Sequence, residues 1–326
     1  MRYLLGVDVG GSKTHALIAD ESGCAVGFGT AGTGNYQGVG YSGFRKSLEK
    51  SIGRAVAQAS IQPGQICGAG FGIGGYDWPS QLEAHRSVID TLGLQCPVEI
   101  VNDTVIGLVA GTTAGWGIVL VGGTGCNCRG RDRQGREGRV TGEGGRFGEW
   151  GGGIELVQKA IQSVSHEWSR RGPHTELSNT FMQLTGARDL DDFIEGIDLG
   201  RFKPSAGWAQ AVFRVAYDGD KVAREMVTWA GRELGELGCA VIRQLDLQAE
   251  RVEVVQVGGL FDGGPLYSDV VHQTILDLAP KAVFVRLTVP PVVGGVLLGA
   301  HAAGIRPESI RPQLIRSTEE MLRAPA

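Results

Sequence analysis

The sequence predicts an α/β protein of two domains, each built on a mixed sheet, and three observations carry that prediction. The chain has 326 residues, too long for one core and suited to two. An apolar strand that ends in Gly-Gly and a hydroxyl residue, followed by a return strand, stands near the N-terminus and again near residue 122. Around these hairpins strand-like and helix-like runs alternate, the order that builds layered α/β sheets.

Leu4 to Val9 is an apolar run that stops at Gly10-Gly11, and Ser12, Lys13 and Thr14 lead into a second run, Ala16 to Ala19. Two strands joined by a tight hairpin fit that pattern. Ala25 to Thr30 adds a third short strand, and Gly32 to Gln37 a loop. Phe44, Leu48, Ile52, Val56 and Ala59 recur at helical spacing, so Tyr41 to Ala59 is an amphipathic helix. A buried-strand run, Ile66 to Ile73, ends in Gly74-Gly75; Ser80 to Leu92 is a helix, and Pro97 to Val101 a strand ending at Asn102-Asp103. A short helix, Thr104 to Ala110, then leads to a Gly/Thr-rich crossing, where the pattern starts over. The first domain is therefore placed at residues 1–112 and the second at residues 113–326.

The second half opens with a strand, Trp116 to Val121, a tight turn at Gly122 to Gly125, and a return strand from Cys126 to Gly130. A glycine-dense loop at 142–153 precedes a helix at Ile154 to His166. Residues 167–220 read as helical and loop-rich, and Lys221 to Leu245 as a long amphipathic helix. Val252 to Val257 is a strand ending in a third glycine turn, Gly258-Gly259. Ala282 to Leu287 is another strand, and Val293 to Gly304 a Gly/Ala-rich helix placed to pack back on the first domain. The polar tail from Arg306 is expected to add little.

Composition narrows the function. Hydrophobic content is 42%, charged content 20%, and the net charge −4, with no basic run longer than pairs such as Arg170-Arg171. That balance argues against nucleic acid or an anionic membrane surface as partner and favours a small molecule. Met1-Arg2 leads directly into a strand-like run, without a charged n-region and cleavage site, so a cytoplasmic protein is expected. The six cysteines lie mostly in apolar surroundings, as reduced thiols do, and no second Cys or His pair follows Cys126 and Cys128 at zinc-finger spacing.

The chemistry follows from the strand ends. Glycine backbone N–H groups approach an anion closely, and a neighbouring carboxylate can hold the water shell of a divalent cation. Phosphoryl transfer from ATP needs positioned donors, a carboxylate-held magnesium ion and a base for the acceptor hydroxyl. Gly10, Gly11 and Ser12 with Gly123, Thr124 and Gly125 supply donors from two sides. Asp8 would hold Mg2+, and Asp103, at the carboxyl end of a strand, would take the hydroxyl proton. Read singly, Asp8 suits a turn and Asp103 a helix N-cap; taken jointly with three glycine turns, both read as functional. Glu149 fits a cap for the helix at Ile154 as well as a ligand contact. Lys13 reads as solvated, His85 and His166 as solvated or capping, and Trp208 and Trp229 as core.

The combination resembles the BadF/BadG/BcrA/BcrD ATPase family and, within it, N-acetylglucosamine kinases. D-V-G-G-S-K-T is similar to the family's first phosphate motif, V-N-D-T to its catalytic Asp, V-G-G-T-G-C-N to its second phosphate motif and V-G-G-L-F to its adenosine motif. The resemblance implies the actin-like ATPase fold, two ribonuclease H-like domains with a nucleotide cleft between them, Mg-ATP as cofactor and a homodimer. It implies that Asp103 faces the C6 hydroxyl of an amino sugar, most simply N-acetylglucosamine. Asn35, Cys126, Asn127, the loop Gly142-Glu143-Gly144 and Glu149 would contact the sugar, Thr124 a phosphate, and Ala216, Gly258 and Gly259 the adenosine. Where those kinases read G-D-E-G, this chain reads Gly148-Glu149-Trp150-Gly151, an acid longer by one methylene.

Glucosamine and N-acetylmuramic acid are alternative acceptors. The zinc cluster of the repressor/ORF/kinase sugar kinases is missing. A radical-enzyme activator ATPase would need a cysteine pair for an iron–sulfur cluster, which these cysteines do not suggest. A non-catalytic sugar sensor would have no use for both Asp8 and Asp103.

Overall fold

The computed structural model describes residues 1–323. The chain forms two compact units: Met1–Gly117 with Arg133–Gly135 and the described residues from Val285 onward, and Ile118–Asp132 with Arg136–Phe284. The first unit starts with the meander β1 (Tyr3–Val9), β2 (Lys13–Asp20) and β3 (Ala25–Gly32). α1 (Tyr36–Ala59) follows, with one non-helical residue at Gly40 that separates a first turn from the helix seen in the sequence. Then come β4 (Ile66–Ile73), a 3₁₀ turn at Pro79–Gln81, α2 (Leu82–Asp90), β5 (Val98–Asn102) and α3 (Asp103–Gly111).

The sheet order is β3-β2-β1-β4-β5, antiparallel within the meander and parallel from β1 to β4 to β5. Alternation along β1 sends Leu5, Val7 and Val9 to one face, against Phe44, Leu48 and Ile52 of α1. Leu4 points to the other face, where Val105, Ile106 and Val109 of α3 lie. Register aligns the strand ends: Val9 pairs with Ile73, and Ile73 with Asn102. The residues that follow, Gly10, Gly74 and Asp103, therefore leave one edge of the sheet together.

The second unit repeats this plan. β6 (Gly117–Gly122), β7 (Cys126–Arg131) and β8 (Glu137–Arg139) are followed by α4 (Gly153–Trp168), α5 (Glu176–Thr185), α6 (Leu190–Asp198), α7 (Ala209–Tyr217) and α8 (Lys221–Gln244). β9 (Glu253–Val257), α9 (Pro265–Leu278) and β10 (Val283–Arg286) complete it. The sheet order is β10-β9-β6-β7-β8. Counted by appearance, both sheets run third, second, first, fourth, fifth, a duplication that reaches far beyond the short hairpin similarity. The edge strand β8 is only three residues of polar sequence, which is why periodicity does not reveal it.

After β10 the chain returns to the first unit as α10 (Val292–Ala302) and α11 (Pro307–Arg323). Helix α10 lies against β1 and β4 at backbone distance: a Cβ at Gly295 would sit 3.0 Å from the carbonyl oxygen of Gly70, and one at Gly6 would strike the backbone of Val296. The tail is not the idle segment expected. Ile310 and Leu314 of α11 are buried, the Ser317 hydroxyl accepts from the Ala25 amide at 2.9 Å, and Arg311 donates to the carbonyls of Val109 and Ala110. Its polar composition hid a one-sided apolar stripe; residues 324–326 of that tail lie outside the described residues. Among the described residues, no helix is long and apolar enough to cross a membrane.

Candidate active site

In the first unit, Gly10 closes the β1–β2 hairpin by donating to the Lys13 carbonyl at 2.9 Å, leaving Gly11 and Ser12 exposed at its tip. Nothing lies within 4 Å of the position a Gly11 Cβ would take, so its backbone is open to an approaching group. The Thr33 hydroxyl donates to the Gly10 carbonyl and accepts from the Asn35 amide, tying this tip to the Asn35 loop. Asn35 caps the first turn of α1, its Oδ1 accepting from the Gln37 amide at 3.0 Å.

Asp103 is the first residue of α3, and Asn102, not Asp103, is the cap: its Oδ1 accepts from the Thr104 amide at 2.9 Å. The capping alternative for Asp103 is thus removed; its Oδ1 accepts from the Thr104 hydroxyl at 3.4 Å. Burial, and then the Asp103 carboxylate, push Asp8 up to about 7. Two repelling carboxylates at a strand end suit a divalent cation. Mg2+ is commonly held by one or two carboxylates together with substrate phosphates.

The turn Gly74-Gly75, to which the sequence assigned no role, stands between these groups. A Cβ at Gly74 would lie 3.0 Å from Asp103 Oδ2, and one at Gly75 2.7 Å from Asn35 Oδ1. Gly75 has φ +85°, the left-handed region that favours glycine. The available signal was its kind: a Gly-Gly pair at a strand end, like the other three.

In the second unit, the tip after β6 is fixed through its carbonyls. Gly153 and Ile154, at the start of α4, donate to the carbonyls of Gly123 and Thr124, both at 2.9 Å. Thr124 and Gly125 are exposed. Cys126 is buried, and burial, then Glu155 and Glu149, push its thiol up to about 12, so it packs as a neutral group and is no nucleophile. The Asn127 Oδ1 is buried without a hydrogen-bond partner, and the Asn127 side chain lies beneath Gly142. An orphaned acceptor at this point fits a ligand hydroxyl.

The structure gives Glu149 a different use from the sugar contact implied by the resemblance. Its carboxylate is buried and accepts from the amides of Thr141 (2.6 Å), Gly142 (2.7 Å) and Glu143 (3.2 Å) and from the Thr141 hydroxyl (2.9 Å). Nor does it cap α4, whose N-cap is Gly152. It clamps the 141–143 loop, while Glu143 itself is exposed and Gly144 begins a short 3₁₀ turn. Glu149→Gln would turn one acceptor into a donor facing a backbone N–H. The expected loss, read from thermal or denaturant unfolding, is about 1–3 kcal/mol, and an unchanged curve would remove the clamp.

Gly258 follows β9 with φ +103°, and a Cβ there would strike the Gly122 carbonyl, so the third glycine turn lies directly on the second. Ala216 is fully buried in α7. Its helix neighbours reach the same region: the Tyr217 hydroxyl accepts from the Leu266 amide, and Phe213 fills the space beside Gly263. His85 departs from the solvated or capping role expected. It is wholly buried on α2, and burial pushes its imidazole below the ordinary value.

The sequence matches the BadF/BadG/BcrA/BcrD ATPase family over residues 5–299. It is similar to the N-acetyl-D-glucosamine kinase of Dictyostelium discoideum, 26% identical over 91% of this chain and 98% of that one. It has the same identity to the N-acetylmuramic acid/N-acetylglucosamine kinase of Clostridium acetobutylicum, again over 91% and 98%. Among solved structures, a Chromobacterium violaceum protein provisionally named an N-acetylglucosamine kinase superposes with a TM-score of 0.66 at 23% identity, covering 91% of this chain and 99% of that one. That likeness concerns the fold, the two mixed five-stranded sheets of actin-like ATPases. With the match spanning β1 to α10, the chain belongs to the BadF/BadG/BcrA/BcrD ATPase family.

Proposed function

We propose that this protein transfers the terminal phosphoryl group of ATP to a hydroxyl of an amino sugar, the C6 hydroxyl of N-acetylglucosamine. The observation that carries the reading is the strand-end alignment in the first unit, which brings the Gly10–Ser12 tip, the Gly74-Gly75 turn, Asn35 and Asp103 to one edge. The names of the Dictyostelium and Clostridium relatives support an amino sugar as acceptor.

Asp103 accepts the proton of the sugar hydroxyl as its oxygen attacks the γ-phosphorus, and the bond from that phosphorus to the ADP oxygen breaks. Asn35 orients the acceptor. The tips at Gly10–Ser12 and Gly123–Gly125 donate to phosphate oxygens, and Asp8 would hold Mg2+, which would neutralise phosphate charge. Asn127 Oδ1 accepts from a sugar hydroxyl, Cys126 packs beside it, and the Gly142–Gly144 loop, shaped by Glu149, encloses the ring. Gly258, Gly259 and the α7 region around Ala216 line the adenosine.

The test is ADP release coupled to a reporter enzyme, with N-acetylglucosamine, glucosamine, N-acetylmuramic acid and glucose as acceptors. Turnover with an N-acetylated amino sugar and a 6-phosphate product are expected. ADP release that needs no sugar would sink the kinase reading; a product phosphorylated elsewhere would sink the C6 assignment.

A further inference from the structure

One network in the first unit has no part in the chemistry above, yet it joins the two residues on which that chemistry turns. Gln81, at the end of the 3₁₀ turn before α2, donates through Nε2 to the Tyr36 hydroxyl at 2.6 Å. Its Oε1 accepts from the amides of Asp77 and Trp78, both at 2.8 Å. Tyr36 directly follows Asn35. From the other side, Asn102, directly before Asp103, donates through Nδ2 to the Tyr76 carbonyl at 3.0 Å and the Asp77 carboxylate at 3.2 Å. Gln81 thus braces the Asn35 turn and the 76–78 loop against one another, and Asn102 braces the same loop against the Asp103 strand end.

His85, one turn along α2, locks this brace. Its Nδ1 lies 2.8 Å from the Gln81 carbonyl, which can only accept, so Nδ1 carries the proton and Nε2 is a bare acceptor, buried without a partner. The rings of Tyr36, Tyr41, Phe44 and Tyr76 surround it at centroid distances of 5.0, 5.3, 5.5 and 5.4 Å. Tyr36 and Tyr41 in turn stack on each other at 4.8 Å across the Gly40 break in α1. An orphaned buried nitrogen is costly, and a phenyl ring would fill such a cage without that cost. A histidine here supplies what a phenyl ring lacks, an N–H that holds the Gln81 carbonyl and with it the position of the Gln81 side chain.

We propose that Gln81 and His85 are positioning residues that set the distance of Asn35 from Asp103, and so the affinity for the sugar acceptor, without touching the sugar. The proposal rests on the amino-sugar kinase reading for its functional part and on unit geometry alone for its structural part.

Two variants test it: Gln81→Met, which keeps length and removes all three hydrogen bonds, and His85→Phe, which keeps the ring and removes the N–H. Steady-state kinetics with N-acetylglucosamine and ATP should show the sugar KM raised roughly tenfold or more in each, with the ATP KM within about twofold of the parent. Gln81→Glu keeps the acceptors and a partner for the Tyr36 hydroxyl, and should hold the sugar KM within about threefold. Amide hydrogen exchange should speed up at Gly38 and Val39, which bond to the Asn35 carbonyl and not to Gln81.

A purely structural role would lower the melting temperature and the active fraction while leaving the sugar KM and the Asn35 turn as they are. Either readout unmoved in both variants overturns the proposal. If the parent protein turns over no amino sugar, the kinase reading falls and the acceptor part falls with it. Exchange at the Asn35 turn then still decides whether Gln81 and His85 position it.

Discussion

Asp103→Asn is expected to reduce kcat by roughly a hundred- to ten-thousand-fold, the range that a positioned general base supplies, with the sugar and ATP KM values little changed. Asparagine keeps the shape and cannot take a proton. The fold should tolerate the change, because the cap of α3 is the Asn102 side chain and the backbone hydrogen bonds of α3 do not depend on the carboxylate. A single-turnover measurement of γ-phosphoryl transfer isolates the chemical step from product release. A variant with parental kcat would show that Asp103 is no base, and the reading of the strand-end cluster would have to be rebuilt around another group.

Asp8→Asn should divide activity from stability. Asp8 sits at about 7 in the folded chain because burial and Asp103 disfavour its charge, while in the unfolded chain it titrates as an ordinary aspartate near 3.9. A carboxyl whose folded value is raised binds its proton more tightly when folded, so it favours folding at low pH. That advantage is lost as pH climbs from about 4 to about 7, and above pH 7 the full cost of a buried charge remains. Removing the charge should therefore raise stability at pH 8 by about 1–2 kcal/mol, a figure reduced for the partial exposure of Asp8. The gain should shrink toward zero near pH 4. Over the same range, phosphoryl transfer at saturating Mg2+ should fall roughly a hundredfold or more. Melting curves of parent and variant at pH 5, 6.5 and 8 check the first effect. A variant less stable than the parent at pH 8 would mean that the Asp8 carboxylate is well paired when folded.

How much of this was legible in the sequence depends on the range of the interaction that makes each feature. Strands such as Ile66–Ile73 and helices such as α8 stand out because their patterns are local, and so do glycine tips at strand ends. The place of Asp103 directly after an apolar strand was legible; that Asn102 would do the capping was not, since both residue types cap well. Glu149 was visible as an acid in a glycine-dense loop, but its four donors come from a backbone shape that no pattern encodes. His85 read as a solvated or capping residue of a helix. The rings that bury it come from Tyr36, Tyr41, Phe44 and Tyr76, two separate segments that only the tertiary fold brings to α2. The same holds for α11, whose contacts with Gly23, Ala25 and Ala110 span the length of the chain.

The return of α10 and α11 to the first unit orders events on the ribosome. Leu4, Leu17 and Val105 emerge early, yet the residues that cover them, such as Val292, Val296 and Leu314, are made last. Until then, that face of the N-terminal sheet is covered only by α3 and keeps apolar surface and glycine notches open, while the second unit, contiguous apart from a three-residue excursion, is already made. The first unit is thus expected to complete its core only after the second has been synthesised. A chain broken off after β10 would carry an exposed sheet face suited to aggregation or to capture by chaperones.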